Sequence, residues 1–155
     1  MTREPIRLYT DGACSGNPGK GGFGVILKCG SLEKTISEGY ALTTNNRMEL
    51  LAVITGLEAI KWENAEVTVW SDSSYVVDAV EKGWVFSWEK KNFVKKANED
   101  LWRRFLLVYR RHQVRFVWIR GHNGHPENEQ CDRMAVAAYT QSVLKEDSGY
   151  LSQQD

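Results

Sequence analysis

Ile6-Arg7-Leu8-Tyr9-Thr10-Asp11-Gly12-Ala13-Cys14-Ser15-Gly16-Asn17-Pro18-Gly19-Lys20-Gly21-Gly22 sets how the rest of the chain is read. Ile6 and Leu8 alternate with Arg7 and Tyr9, the period of two of a strand with one buried face. The strand is expected to end at Asp11, because residues 12–22 hold so many turn formers that they read as a loop. Open α/β sheets usually bind ligands at the C-terminal ends of their strands, and Asp11 would stand there. Its plainer reading is an Asp-Gly turn.

On the C-terminal side, residues 23–28 and 35–42 read as two more strands, antiparallel neighbours of the first. Leu50, Val53, Ile54, Leu57 and Ile60 recur at helical spacing between Met48 and Lys61. Residues 66–70 form a short β-branched strand, and Ser71-Asp72-Ser73-Ser74 signals a helix start. Gly83 interrupts that helical stretch; the aromatic run 84–88 and the lysine-rich residues 89–96 follow it. Asn98 suits the N-cap of a helix carrying Leu101, Phe105, Val108 and Tyr109. Residues 114–118 make a fifth strand, and Pro126 suits the first turn of a final helix of about 16 residues. The order β-β-β-α-β-α-α-α-β-α predicts an α/β fold: a mixed five-stranded sheet, its first three strands antiparallel, with helices on both faces. One domain over residues 1–144 is expected, with residues 145–155 a frayed polar tail.

A chain of 155 residues, 42% of them hydrophobic, has the size of one domain with a substantial core. That composition argues against disorder. No apolar run approaches the roughly 18 residues of a membrane span, and Met1-Thr2-Arg3-Glu4-Pro5 has no apolar signal core. A cytoplasmic, monomeric protein without membrane partners is the expectation. Cys14, Cys29 and Cys131 are odd in number and widely spaced, so they resemble neither a disulfide framework nor a zinc site. They read as reduced thiols that pack.

Twenty lysines and arginines balance twenty carboxylates, but not evenly. Residues 1–80 hold seven against ten, residues 81–125 eleven against four, and residues 126–155 two against six. A basic middle segment in a neutral chain could meet a polyanion, or could simply be solvated surface.

Four carboxylates stand out. Asp11 and Asp72 sit at predicted strand ends, although Asp72 could instead cap the next helix. Glu49 has capping-box spacing from Asn46, yet it lines up with Val53 and Leu57 on the apolar stripe. Asp132 lines up with Val136, Tyr139 and Val143. A carboxylate on a core-facing stripe is costly unless paired or metal-bound. Hard oxygen ligands without cysteine or histidine suit Mg²⁺, with Mn²⁺ a possible substitute. Two such ions about 3.5–4 Å apart would orient a water and neutralise a phosphodiester. His122 and His125 lie in a loop before the last helix; His122 reads as a proton-transfer group and His125 as a cap.

These residues fall in runs that resemble the bacterial ribonuclease HI (type 1 ribonuclease H) family: residues 9–14 with 16–19, 43–50, 71–76, 121–129 with 131–132, and 147–150 in the tail. The runs keep the family's order and spacing along nearly the whole chain. The resemblance implies an endoribonuclease that cuts the RNA strand of an RNA–DNA hybrid with two Mg²⁺ ions, leaving 5′-phosphate and 3′-hydroxyl ends. It implies that Asp11 bridges both ions, with Glu49 and Asp72 nearer the leaving group and Asp132 nearer the attacking water. His122 would assist proton transfer. Gly12, Cys14, Asn17, Asn45 and Asn46 would contact the hybrid, and Thr44 with Asn46 would hold a DNA-strand phosphate. Trp84, Lys90, Lys91, Lys95 and Lys96 would serve as a basic binding segment.

Three departures stand against the family pattern. Ser74 occupies a position where relatives commonly carry glutamine, the basic segment is several residues short, and Asn123 replaces a small residue. A resolvase-like nuclease would share the acidic cluster but not Thr43-Thr44-Asn45-Asn46-Arg47-Met48-Glu49. A non-catalytic hybrid-binding module would have lost one of the four carboxylates, and all four are present.

Overall fold

A computed structural model describes residues 4–120 and 124–153. Five strands, β1 (Ile6–Gly16), β2 (Gly19–Cys29), β3 (Leu32–Thr43), β4 (Glu66–Ser71) and β5 (Gln113–Trp118), form one sheet in the order β3-β2-β1-β4-β5. The first three pair antiparallel; β1 with β4 and β4 with β5 pair parallel. This is the mixed sheet the element order predicts.

The expected loop over residues 12–22 is a hairpin instead. β1 runs on through Gly16, pairs with β2 down to Gly16 opposite Gly19, and turns on Asn17 and Pro18 alone. The glycines are there for contact as much as for turning. A Cβ at Gly22 would stand 2.5 Å from the Ala135 carbonyl oxygen, and one at Gly24 would collide with that of Cys131. Stripping side chains from this face lets a helix backbone settle directly on the strands.

That helix is α5 (Pro126–Tyr139), whose buried residues are Asn128, Cys131, Ala135 and Ala138. The stripe predicted through Asp132 is therefore displaced, with Val136 37% and Val143 83% exposed. Small residues, not valines, face a glycine-bearing sheet. On the opposite face lies α1 (Asn45–Glu58), buried continuously from Arg47 to Ile54. α2 (Ser74–Glu81), α3 (Trp84–Lys90) and α4 (Glu99–Tyr109) join α1 around Leu8, Val69, Trp102 and Phe105. Gly83, at φ 77°, ends the α2 stretch as its sequence predicts.

The tail is not frayed over the described residues. Lys145 exchanges backbone hydrogen bonds with Gly39 and Ala41 at the edge strand, and α6 (Ser148–Gln153) buries Tyr150. Asp147 accepts from both Nε and Nη2 of Arg47, at 2.8 and 2.9 Å. Asn98 precedes α4 as expected but gives its first turn no side-chain cap. Its Oδ1 instead accepts from Arg47 and Gln153. Among the described residues, no helix is long and apolar enough to cross a membrane.

Candidate active site

Strand alternation puts Asp11 on the α5 side of the sheet and Gly12 on the α1 side. A Cβ at Gly12 would stand 2.5 Å from the Glu49 backbone nitrogen, so only glycine admits α1 this close. The Gly12 N–H then donates to Glu49 Oε1 at 2.8 Å. β1 and β4 run in parallel register through Tyr9 opposite Trp70, and two more residues along each strand bring Asp11 beside Asp72. Carboxylate oxygens of Asp11, Glu49 and Asp72 lie within 4.8 Å of one another.

The plainer readings of these three residues fail on geometry. Asp11-Gly12 is strand, not turn. Ser73 rather than Asp72 caps α2, its Oγ accepting from the Val76 N–H at 3.2 Å. Thr44 caps α1, accepting from the Arg47 N–H. Asp132 is half-buried on α5, where its charge and a shared hydrogen bond act on Asp11.

Electrostatics give the cluster its character. Burial first, then the charges of Asp72 and Asp132, push the Asp11 pKa up to about 9. Glu49 is held well above the usual carboxylate value by burial, then by Asp11 and Asp72. Like charges gathered out of water either take up protons or take up cations. An all-oxygen donor set of this density fits a hard divalent cation, held by Asp11, Glu49 and Asp72 with Asp132 alongside.

Around the cluster, the Asn45 N–H donates to Asn17 Oδ1 at 3.1 Å, joining hairpin to helix. Cys14 lies beside them with its thiol toward the Thr43 carbonyl. Thr44 precedes this helix start, and Ser74, exposed, opens α2. Asn46, Trp84 and Lys96 line one cleft with Tyr75, Trp88, Ala97 and Asn98. Lys90, Lys91 and Lys95 are exposed on α3 and the turns after it, which Phe93, 2% exposed, anchors to the core. His122 and Asn123 lie outside the described residues. His125 is the N-cap residue of α5 but makes no side-chain cap bond.

Two residues beside the cluster escaped the sequence reading. Asn128, 1% exposed, donates from Nδ2 to the carbonyls of Thr10 at 3.3 Å and Trp70 at 3.2 Å. It clamps together the two strand ends that carry Asp11 and Asp72. Its signal was the spacing of Asn128, Cys131, Ala135 and Ala138, a small-residue helical stripe. Trp118 donates its indole N–H to the Asp72 carbonyl at 3.2 Å.

Comparison with known proteins gives one answer. The RNase H family model matches residues 3–140. The chain is 50% identical over 153 residues to a ribonuclease H of Syntrophus aciditrophicus, covering 96% of this chain and 88% of that one. Among solved structures, LC9-RNase H1, a type 1 RNase H with the type 2 active-site motif, superposes with a TM-score of 0.82 at 31% identity. That match covers 99% of this chain and 82% of the other. LC11-RNase H1, solved in complex with an RNA/DNA hybrid, shares the fold at TM-score 0.66 and 24% identity, over 87% of this chain and 96% of that one.

Proposed function

The chain belongs to the RNase H family, and from that premise we propose that it hydrolyses the RNA strand of RNA–DNA hybrids at the Asp11–Glu49–Asp72–Asp132 cluster. The observation that carries the reading is the gathering of three carboxylates, two of them buried and one half-buried, within 4.8 Å of one another. Two divalent ions, Mg²⁺ or Mn²⁺ in its place, would supply charge neutralisation and an acidified water, leaving 5′-phosphate and 3′-hydroxyl ends. Asp11, Glu49 and Asp72, with Asp132 beside Asp11, would hold them. Gly12 and Asn128 hold Glu49, Asp11 and Asp72 in place for that task. His122 would carry a proton at an imidazole nitrogen, because the carboxylates already form a complete oxygen set.

Gly12, Cys14, Asn17, Asn45 and Asn46 would meet the hybrid where a wide minor groove exposes RNA 2′-hydroxyls. The shorter Ser74 side chain would reach less far. Thr44 and Asn46 would receive a DNA-strand phosphate, and Trp84 with Lys90, Lys91, Lys95 and Lys96 the adjoining backbone. Supporting that assignment, none of the four lysines has a carboxylate partner among the described residues. Arg103, Arg104, Arg110 and Arg111 are all paired, with Glu99, Glu58, Glu89 and Glu63.

The test is incubation with an RNA–DNA hybrid, duplex DNA and duplex RNA, with and without Mg²⁺. RNA of the hybrid alone should be cut, and only with the cation. Equal cutting of duplex DNA would favour a resolvase-like nuclease; binding without cutting would favour a non-catalytic module.

A further inference from the structure

We propose that Trp118 and Arg120 form a contact for the RNA-strand backbone on the β5 side of the carboxylate cluster. The proposal rests on the hybrid-cleavage reading above. The contacts that reading assigns lie on β1, the β1–β2 turn, α1, α2 and the α3 segment. None lies on β5. In the sheet order, Asp72 at the end of β4 stands between Asp11 on β1 and Trp118 on β5. A strand that crosses the carboxylates from the Asn17–Asn45 patch must leave over the ends of β4 and β5, where Trp118 stands at the rim.

Three features make that rim suited to a sugar–phosphate chain. Trp118 is 47% exposed, and its ring is fixed by the indole N–H donated to the Asp72 carbonyl at 3.2 Å. Arg120 holds its guanidinium 5.9 Å over that ring and has no carboxylate partner among the described residues. Arg103, Arg104, Arg110 and Arg111 are each neutralised by a glutamate, whereas Arg120 has no carboxylate among the described residues and remains to meet an anion. Bases in a hybrid duplex are paired and unavailable for stacking. The indole face therefore meets a ribose, and the guanidinium fork a phosphate, for which its planar geometry is suited.

The test compares wild type with Trp118→Ala, Trp118→Phe and Arg120→Ala, measuring hybrid affinity against salt without divalent cation and the single-turnover rate with Mg²⁺. Arg120→Ala should weaken binding about three- to tenfold at low salt and flatten the log–log salt slope by up to about 0.9, as loss of one phosphate contact does. Trp118→Ala should weaken it about fivefold, through loss of the apolar face that packs on the ribose. Trp118→Phe keeps a ring face but not the N–H, and should stay within about twofold of wild-type affinity. Neutral methylphosphonates placed singly along the RNA strand near the scissile bond should reveal one position that weakens wild type but not Arg120→Ala.

If Trp118 only braces Asp72, Phe and Ala will lower the rate alike and leave affinity unchanged, which overturns the proposal. So does a sensitive methylphosphonate found only on the DNA strand, or an unchanged slope in Arg120→Ala. Arg120 is exposed and makes no hydrogen bond to the described protein, so its variant folds even should Trp118→Ala not; thermal melts check each. A wild type that neither binds nor cuts the hybrid defeats the functional reading itself. A wild type that cuts it while all three variants match it defeats this inference alone.

Discussion

Arg47 and Glu49 stand two residues apart on α1, are 1% and 6% exposed, and could hardly be treated more differently by the fold. Arg47 is matched: bidentate bonds to Asp147 and Asp100, and a further one to Asn98. Those charge-assisted bonds hold its pKa above the ordinary arginine value despite burial. Glu49 is surrounded by charges of its own sign and carries a raised pKa. A matched buried charge ties chain segments together. Gathered like charges cost stability in the bare protein, and that cost is recovered when a cation arrives. The same α1 turn thus holds a structural lock and a site built for something not yet bound.

The sharpest way to break that contrast is Asp11→Asn. Cleavage should fall by at least about 10⁴-fold, the scale for an indispensable group, while the metal-free variant melts higher than wild type. Titration supplies the sign. A carboxyl whose folded pKa is raised binds its proton more tightly in the native state. That contribution is complete below the unfolded value near 3.8 and lost as pH rises through the folded value of about 9. Metal-free wild type should therefore lose stability across this range, and Mg²⁺ should restore it most at the alkaline end. Melting curves that ignore Mg²⁺ at every pH would remove the cation site.

Arg47→Ala tests the other half. Among the described residues, it leaves buried Asp147 the Thr43 hydroxyl and the Tyr150 N–H as partners. Urea unfolding should show a loss of about 3–5 kcal/mol, the usual consequence of orphaning a buried charge. Glu49→Gln in the metal-free protein should instead be neutral or stabilising. Equal losses from both substitutions would erase the distinction between lock and site.

How much of this the sequence discloses depends on distance along the chain. Strands and helices whose large apolar residues recur at a clear spacing, such as Ile6–Tyr9 and Leu50–Leu57, were legible from that spacing, although α1 is buried well beyond one face. Glu49 was legible as a carboxylate on an apolar stripe, whereas Asp11 and Asp72 were legible as residues at strand ends, and only the folded strand and the Ser73 cap exclude their plainer roles. The hairpin through Gly16 was not, because its glycines answer to helices that come later, Gly12 to α1 and Gly22 to α5, the latter more than a hundred residues on. The Asp132 stripe was misread for the same reason: a helix lying on glycines buries cysteine and alanine and leaves valine in water. The docked tail depends on Asp147, exactly matched to Arg47 only after folding brings together residues a hundred positions apart. Local patterns cannot carry that information.

Further substitutions separate groups that act from those that merely balance charge. His122→Ala should slow turnover about 10²-fold, the lower end for a positioned acid–base group, with the Mg²⁺ requirement unchanged. Recovery of the full rate at high Mg²⁺ would move His122 to the metal site. Changing Lys90, Lys91, Lys95 and Lys96 together to alanine should weaken hybrid binding about tenfold at low salt and flatten the salt slope by up to about 0.9 per lost contact. Replacing the paired Arg103 and Arg104 should leave that slope unchanged.

The smallest effect lies at the other end of the sheet. His112, 8% exposed, accepts the Ala65 N–H at its Nδ1 at 3.1 Å, which pins the entry to β4 against the entry to β5. Its pKa is lowered by burial first, then by the Arg111 charge, with Glu63 opposing. The neutral ring is the form that accepts this bond, so protonation would set two N–H groups against each other. A depressed histidine pKa means that the unfolded chain binds the proton more readily. Its contribution is complete above the unfolded value of 6.5 and fades as pH falls through the folded one. This slope opposes that of Asp11 and Glu49, so total stability conceals it. The difference between wild type and His112→Asn, whose Oδ1 can accept the same N–H at any pH, isolates it. Followed by urea unfolding from about pH 8 to about pH 5, wild type should lose ground to the variant on the acid side by up to about 1 kcal/mol, the worth of one hydrogen bond. A difference that stays flat with pH would mean that His112 holds the strand entry by packing alone.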